Sequence, residues 1–237
     1  MPSVQRGGRY GREGRGTFSI VAGDPTLGVW GVAVATKPIC VGSVVPWAEW
    51  RVGALATQAL SNYFYGPQGL ELLRRGATAE ETVRRLTRAD RKREHRQLAV
   101  VDRRGRVVAW TGKKCIDWAG HVPGEGFSCQ GNMLANDRVV PAMVRAFEQR
   151  RGRLAGRLLA ALQAGQRAGG DRRGLESAAL LVVHREPWYD KAWPDRVVDL
   201  RVDQHARPLA ELARLLAIDE RVTRSFRAAR RRRLSRR

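Results

Sequence analysis

Short apolar blocks with a two-residue period dominate the chain, interrupted by stretches with helical periodicity. Thr17–Gly23 and Gly28–Thr36 are β-rich runs separated by Asp24-Pro25-Thr26-Leu27, which predicts a hairpin with a proline-containing turn. That register opposes Thr17 to about Val34 and leaves Thr36 and Lys37 just past the strand end. Alternation puts Thr36 on the face of Val34 and Lys37 on the other, unless Pro38 turns the chain. Arg51–Ala59 predicts another strand, and Gly66-Pro67 opens a helical stretch that stops at Gly76. Thr78-Ala-Glu-Glu81 is a capping box for a second helix through about Ala89. Gln97–Asp102 and Arg106–Thr111 flank Arg103-Arg104-Gly105 as a hairpin. Asn136–Gln149 and Arg153–Arg167 read as helices, Ser177–His184 and Arg196–Asp203 as late strands, and Pro208–Ala217 as a short terminal helix. No repeat of solenoid period is present. This order predicts an α+β fold in which two antiparallel sheets pack together under helices, spanning 17–217. Residues 1–16 form a disordered leader or propeptide, and 218–237 an Arg-rich tail, disordered or helical.

Composition sharpens this picture little: 237 residues with 43% apolar content suit one substantial soluble domain. The longest apolar runs, such as Ser177–Val183, are strand length, well short of the roughly 18 residues of a spanning helix. Residues 1–12 carry no apolar segment behind their charges and do not read as a secretory signal. Cys40, Cys115 and Cys129 are scattered and odd in number, which favours a reducing compartment and places the protein in the cytoplasm. Cys115 and His121 alone do not make a metal site, and neither metal nor cofactor is expected.

The net charge of +21 changes the picture more. Residues 218–237 hold nine arginines against Asp219 and Glu220, giving +7, and the leader holds four against Glu13, giving +3. The remaining +11 is spread over the body, and only five of the basic residues are lysine. Arg230–Arg233 with Arg236 and Arg237 could hold a polyanion, or simply be solvated.

Candidate chemistry begins at Gly16-Thr17. A threonine hydroxyl is a poor nucleophile, whereas an α-amine, with an unperturbed pKa of about 7.7–8.0, accepts a proton near neutrality. Cleavage between Gly16 and Thr17 would therefore create a nucleophile carrying its own base; otherwise Thr17 merely opens an edge strand. Lys37 is a candidate cation to lower that amine's pKa, or a surface lysine. Gly131-Asn132 offers a close backbone approach and an amide donor for an oxyanion, or a turn before the next helix. Gln58 and Asn62 are candidate substrate contacts. Trp47, Trp50, Tyr63 and Tyr65 suit a pocket lining or the core equally.

Thr17-Phe-Ser-Ile-Val-Ala22, Gly31-Val-Ala-Val-Ala35, Ala56-Thr-Gln58, Tyr65-Gly-Pro67, Arg96-Gln97, Gly131-Asn132 and Gly169-Gly-Asp-Arg-Arg-Gly174 with Ser177-Ala178, in that order, resemble one family. It is the domain-of-unknown-function family numbered 1028, grouped by fold with the N-terminal nucleophile hydrolases. The resemblance implies a four-layer αββα sandwich and amide hydrolysis by a terminal Thr, Ser or Cys. It also favours a functional Asp171, orienting the threonine amine while Ser177 relays a proton, over an acid paired only with Arg172 or Arg173. Family members commonly begin Met-Thr-Phe-Ser, whereas here Gly16 stands in the methionine's place, so exposing Thr17 requires peptide cleavage. A Gly–Thr bond is also where proteasome β precursors cut themselves. The expectation is an amidohydrolase acting on a small amide or peptide-like substrate through an acyl-enzyme, without contact with membranes, as a homo-oligomer. The alternative is an inactive scaffold that binds nucleic acid or another polyanion.

Overall fold

Strand alternation separates two kinds of neighbour along the first strand. Phe18, Ile20 and Ala22 point to one side of the sheet and Thr17, Ser19 and Val21 to the other, and both sides are buried. The computed structural model describes residues 16–185 and 195–234. The expectations for residues 1–15 and for the last three residues lie outside that range.

Six strands make the larger antiparallel sheet: β1 (Thr17–Asp24), β2 (Val29–Thr36), β7 (Gly120–Gly124), β8 (Phe127–Asn132), β9 (Ser177–Val183) and β10 (Arg196–Val202), ordered β10-β9-β2-β1-β8-β7. The smaller sheet runs β3-β4-β5-β6, from β3 (Pro46–Glu49), β4 (Gly53–Ala59), β5 (Arg96–Asp102) and β6 (Val107–Thr111). Helices α1 (Tyr65–Arg74) and α2 (Ala79–Ala89) cover the outer face of the smaller sheet, with Leu55, Leu98, Val100, Leu73, Val83 and Leu86 between them. Helices α3 (Val139–Gln149), α4 (Leu154–Arg167) and α5 (Pro208–Leu234) bury Phe18, Ile20, Leu180 and Val182 of the larger one. A third core, from Val21, Val32, Val34, Ala54, Ala56, Ala99, Val101 and Leu181, fills the space between the sheets. The molecule is thus a helix–sheet–sheet–helix sandwich of four layers, an α+β architecture.

Four details differ from the sequence expectation. The β1–β2 register pairs Thr17 with Thr36, two residues beyond Val34. The turn is Pro25–Gly28, closed by the Asp24–Val29 pair and by the Leu27 amide donating to Asp24 Oδ1 (3.0 Å), so Gly28, at φ +65°, ends the turn where a strand start was expected. Strands β3, β7 and β8 escaped the pattern: Pro46 opens β3, Pro123 and two glycines interrupt β7, and polar residues and Gly131 break the apolar run in β8. Helix α5 continues to Leu234, beyond the expected stop at Ala217. Leu209, Leu212 and Leu216 form its buried apolar stripe, and no Gly or Pro follows within the helix to terminate it. The predicted capping box is present at Thr78 and Glu81. Trp47 and Tyr65 pack in the outer core of the smaller sheet, Trp50 against the core between the sheets, and Tyr63 is exposed.

Candidate active site

Two polar rows face each other at one end of the space between the sheets. In the larger sheet, Ser177, Thr36, Thr17 and Asn132 lie side by side on β9, β2, β1 and β8. In the smaller sheet, Gln58, Gln97 and Thr111 align on β4, β5 and β6. Polar residues at the inward positions of buried strands must find partners there, and these do. Gln97 Oε1 accepts from Gln58 Nε2 (2.7 Å) and Asn132 Nδ2 (3.1 Å), while Gln97 Nε2 donates to Thr111 Oγ1 (2.9 Å) and the Gly131 carbonyl (2.8 Å). Ser19 donates to Gln58 Oε1 (2.6 Å) and accepts from Gln130 Nε2 (2.7 Å). The network locks the head of β1 to both its neighbour β8 and the opposite sheet.

Thr17 and its preceding residue sit at the centre. The Thr17 hydroxyl donates to the Gly16 carbonyl (2.6 Å) and lies 3.0 Å from Thr36 Oγ1. The same carbonyl accepts from the Thr36 hydroxyl and from Arg173 Nη2 (3.0 Å). Arg173 is held by Asp171 through Nε to Oδ1 (3.0 Å) and Nη2 to Oδ2 (2.8 Å), a two-pronged pair whose carboxylate is fully buried. Asp171 also accepts from the Arg173 amide (3.0 Å) and the Lys37 amide (3.1 Å). A carbonyl that meets a guanidinium and two hydroxyls is polarised as an oxyanion would require, and one of those hydroxyls belongs to the residue that follows it.

The structure brings Gly16, Thr17, Asn132, Asp171 and Gln58 together, and separates others. Lys37 contributes its backbone amide to Asp171, but its ammonium pairs with Glu176 at the surface; the side-chain cation at Gly16 is Arg173. Asn132 spends an amide hydrogen on Gln97, and the donors on the Gly16 carbonyl are Thr17, Thr36 and Arg173. Gly131 leaves room for Leu134, whose Cδ1 would lie 2.5 Å from a Cβ there, on the helix side of the sheet. Ser177 donates to the Pro38 carbonyl (2.6 Å) and accepts from the Val41 amide (3.3 Å), so it fastens the loop after β2. Thr36 and Arg173 carried a readable signal: Thr36 was flagged by alternation, and Arg173 adjoins the Asp171 motif, but only the true register sets both on Gly16.

Asn62 lies in a separate cluster. Its Nδ2 donates to Asp90 Oδ2 (3.0 Å), which also receives Arg96 Nε (2.9 Å) and the Tyr65 hydroxyl (3.1 Å). Burial pushes the Asp90 carboxyl up, but hydrogen bonds from Arg96, Asn62 and the Lys92 amide outweigh it and lower its pKa from 3.8 to about 2. Burial and the Asp90 charge push the Tyr65 phenol in the opposite direction, well above its ordinary value. A folded-state carboxyl below its unfolded value stabilises above about pH 4 and loses that contribution as pH falls toward 2. Asp90→Asn is therefore expected to be less stable than the parent at pH 6 by about 2 kcal/mol. Urea unfolding at pH 6 and pH 2 should show the gap closing at the lower pH.

Among the described residues no helix is long and apolar enough to cross a membrane, and no group of three His, Cys, Asp or Glu side chains is placed to hold a metal ion. Cys115 Sγ faces the Arg96 carbonyl (3.3 Å), and His121 Nδ1 meets Thr111 Oγ1 (2.8 Å).

The chain belongs to the family of unknown function DUF1028, whose model matches residues 17–212. It is similar to a crystal structure of the protein SPO2555 from Silicibacter pomeroyi, described by the same family, at 37% identity and a TM-score of 0.77 over 85% of each chain. No curated protein matches the sequence. The matched segment begins at Thr17, the residue around which the polar rows are built.

Proposed function

We propose that this protein is an N-terminal-threonine amidohydrolase of the N-terminal nucleophile class, made active by cleavage of its Gly16–Thr17 bond. The observation that carries this reading is the Gly16 carbonyl, held by Thr36 and Arg173 with the Thr17 hydroxyl against it. In the cleavage step Thr17 Oγ1 attacks the Gly16 carbonyl carbon and the C–N bond breaks, the hydroxyl proton ending on the departing nitrogen. The resulting ester is hydrolysed by water, which releases the leader as a carboxylate and leaves Thr17 with a free α-amine.

In the mature enzyme that amine takes the Oγ1 proton as Thr17 attacks a substrate amide and returns it to the leaving amine; water then hydrolyses the acyl ester. Arg173 and Thr36 stabilise the oxyanion in the place the Gly16 oxygen held, and the guanidinium's charge keeps the amine unprotonated to a lower pH. Asp171 fixes Arg173, and Gln58, Gln97 and Asn132 fix β1. The substrate is a small amide or peptide.

A β-lactone, which acylates activated hydroxyls without needing the right leaving group, tests this. One acyl group is expected on the peptide that starts at Thr17, and none on a Thr17→Ala protein. Adduct formation elsewhere, or on neither protein, contradicts the proposal.

A further inference from the structure

Gly16 occupies the seat that an acyl group must take when Thr17 attacks it, and that seat has a rigid wall. A Cβ built on Gly16 would lie 2.7 Å from Asp171 Oδ1 and 2.8 Å from both its Cγ and Oδ2, well inside contact distance. A carboxylate at the end of a free side chain would simply move aside. Asp171 has no such freedom: its oxygens are held by the Lys37 amide, by the Arg173 amide and by the two prongs of the Arg173 guanidinium, and its side chain is fully buried. Any shift that made room would break bonds to a buried charge, which is costly. It would also pull Arg173 off the carbonyl it polarises.

From this geometry we infer that the enzyme's acyl seat accepts a glycyl-type group, one whose α-carbon bears no L side chain, and excludes L-alanyl and larger residues. This rests on the reading of Thr17 as the nucleophile and adds the substrate class to it. The same wall explains why a glycine precedes Thr17 in this chain: the leader's last residue is the first acyl group that the site must accommodate. The specificity is one of exclusion, since an added methyl has no space, and the seat is set by a pinned side chain outside the strand row.

Two measurements test the inference. Gly16→Ala, followed by intact mass over time, is expected to shed its leader at least about tenfold more slowly than the parent. Independently, the protein released with Thr17 at its terminus from a cleavable fusion is to be assayed on glycyl and L-alanyl p-nitroanilides, with glycyl preferred by at least about tenfold in kcat/KM. This second arm needs no self-cleavage and is unaffected by a folding defect of the Gly16 variant. Equal turnover of the two anilides, or faster turnover of the alanyl one, overturns the inference while leaving the nucleophile intact. No turnover of either, with no β-lactone adduct on Thr17, overturns the hydrolase reading and the inference with it.

Discussion

Thr17→Ala is expected to retain its leader completely and to lose at least about 10⁴-fold in amide hydrolysis, because one hydroxyl serves both reactions and no neighbour can replace it. Thr36 is the closest other hydroxyl, 3.0 Å from Thr17 Oγ1, but it is a mid-chain residue whose own amine never becomes free. The variant should remain folded, since Thr17 contributes only hydrogen bonds at the end of a strand whose Phe18, Ile20 and Val21 carry the packing. Thr17→Ser keeps the attacking oxygen and should restore cleavage in part, a rescue that a purely structural role for the threonine would not produce. Mass spectrometry of the three proteins, together with urea unfolding, separates chemistry from folding. An uncut Thr17→Ser protein of normal stability would argue against the mechanism.

Replacement of Asp171 should have the largest effect on stability. Its carboxylate is fully buried and takes four hydrogen bonds, two of them from the Arg173 guanidinium. Asp171→Asn removes the charge opposite Arg173 and turns an NH₂ group toward donors, which breaks a buried pair at about 3–5 kcal/mol. The bridge between Leu134 and Asp171, which ties the loop before β9 to the segment after β8, is expected to loosen as well. Because Asp171 orients the guanidinium on the Gly16 carbonyl, leader removal should slow together with the loss of stability. An unchanged urea midpoint would show that the ion pair is not the anchor described here.

The sequence exposed the architecture unevenly, and the reasons are physical. Interior strands such as β1, β2 and β9 were legible because they are buried on both faces and must be apolar or β-branched over their whole length. Their few inward hydroxyls and amides, Thr17, Ser19, Thr36, Asn132 and Ser177, were visible only as polar residues in apolar runs. That Thr17, Thr36, Asn132 and Ser177 form one row across four strands is a property of register, which the strand pattern leaves uncertain by a residue or two. The turn ending at Gly28 fixes that register, and it moves Thr36 from beyond the strand end to the place opposite Thr17. Lys37 reads in the sequence as a site cation or a surface lysine, and the backbone amide it gives Asp171 leaves no trace there while an ammonium invites attention. Gln97 and Arg173 acquire their meaning from the second sheet and from a loop more than 150 residues from Thr17, contacts that no local pattern encodes.

The intact mass of the purified full-length protein, with sequencing of its first residues, tests the central claim most directly. The account predicts a chain that begins at Thr17, beside an uncut Thr17→Ala control. A wild-type protein that keeps Gly16 and the residues before it would contradict the account, because the Thr17 hydroxyl would then have no free amine beside it. The arginine-rich surface and its salt-dependent attraction for polyanions would be the better guide to its function.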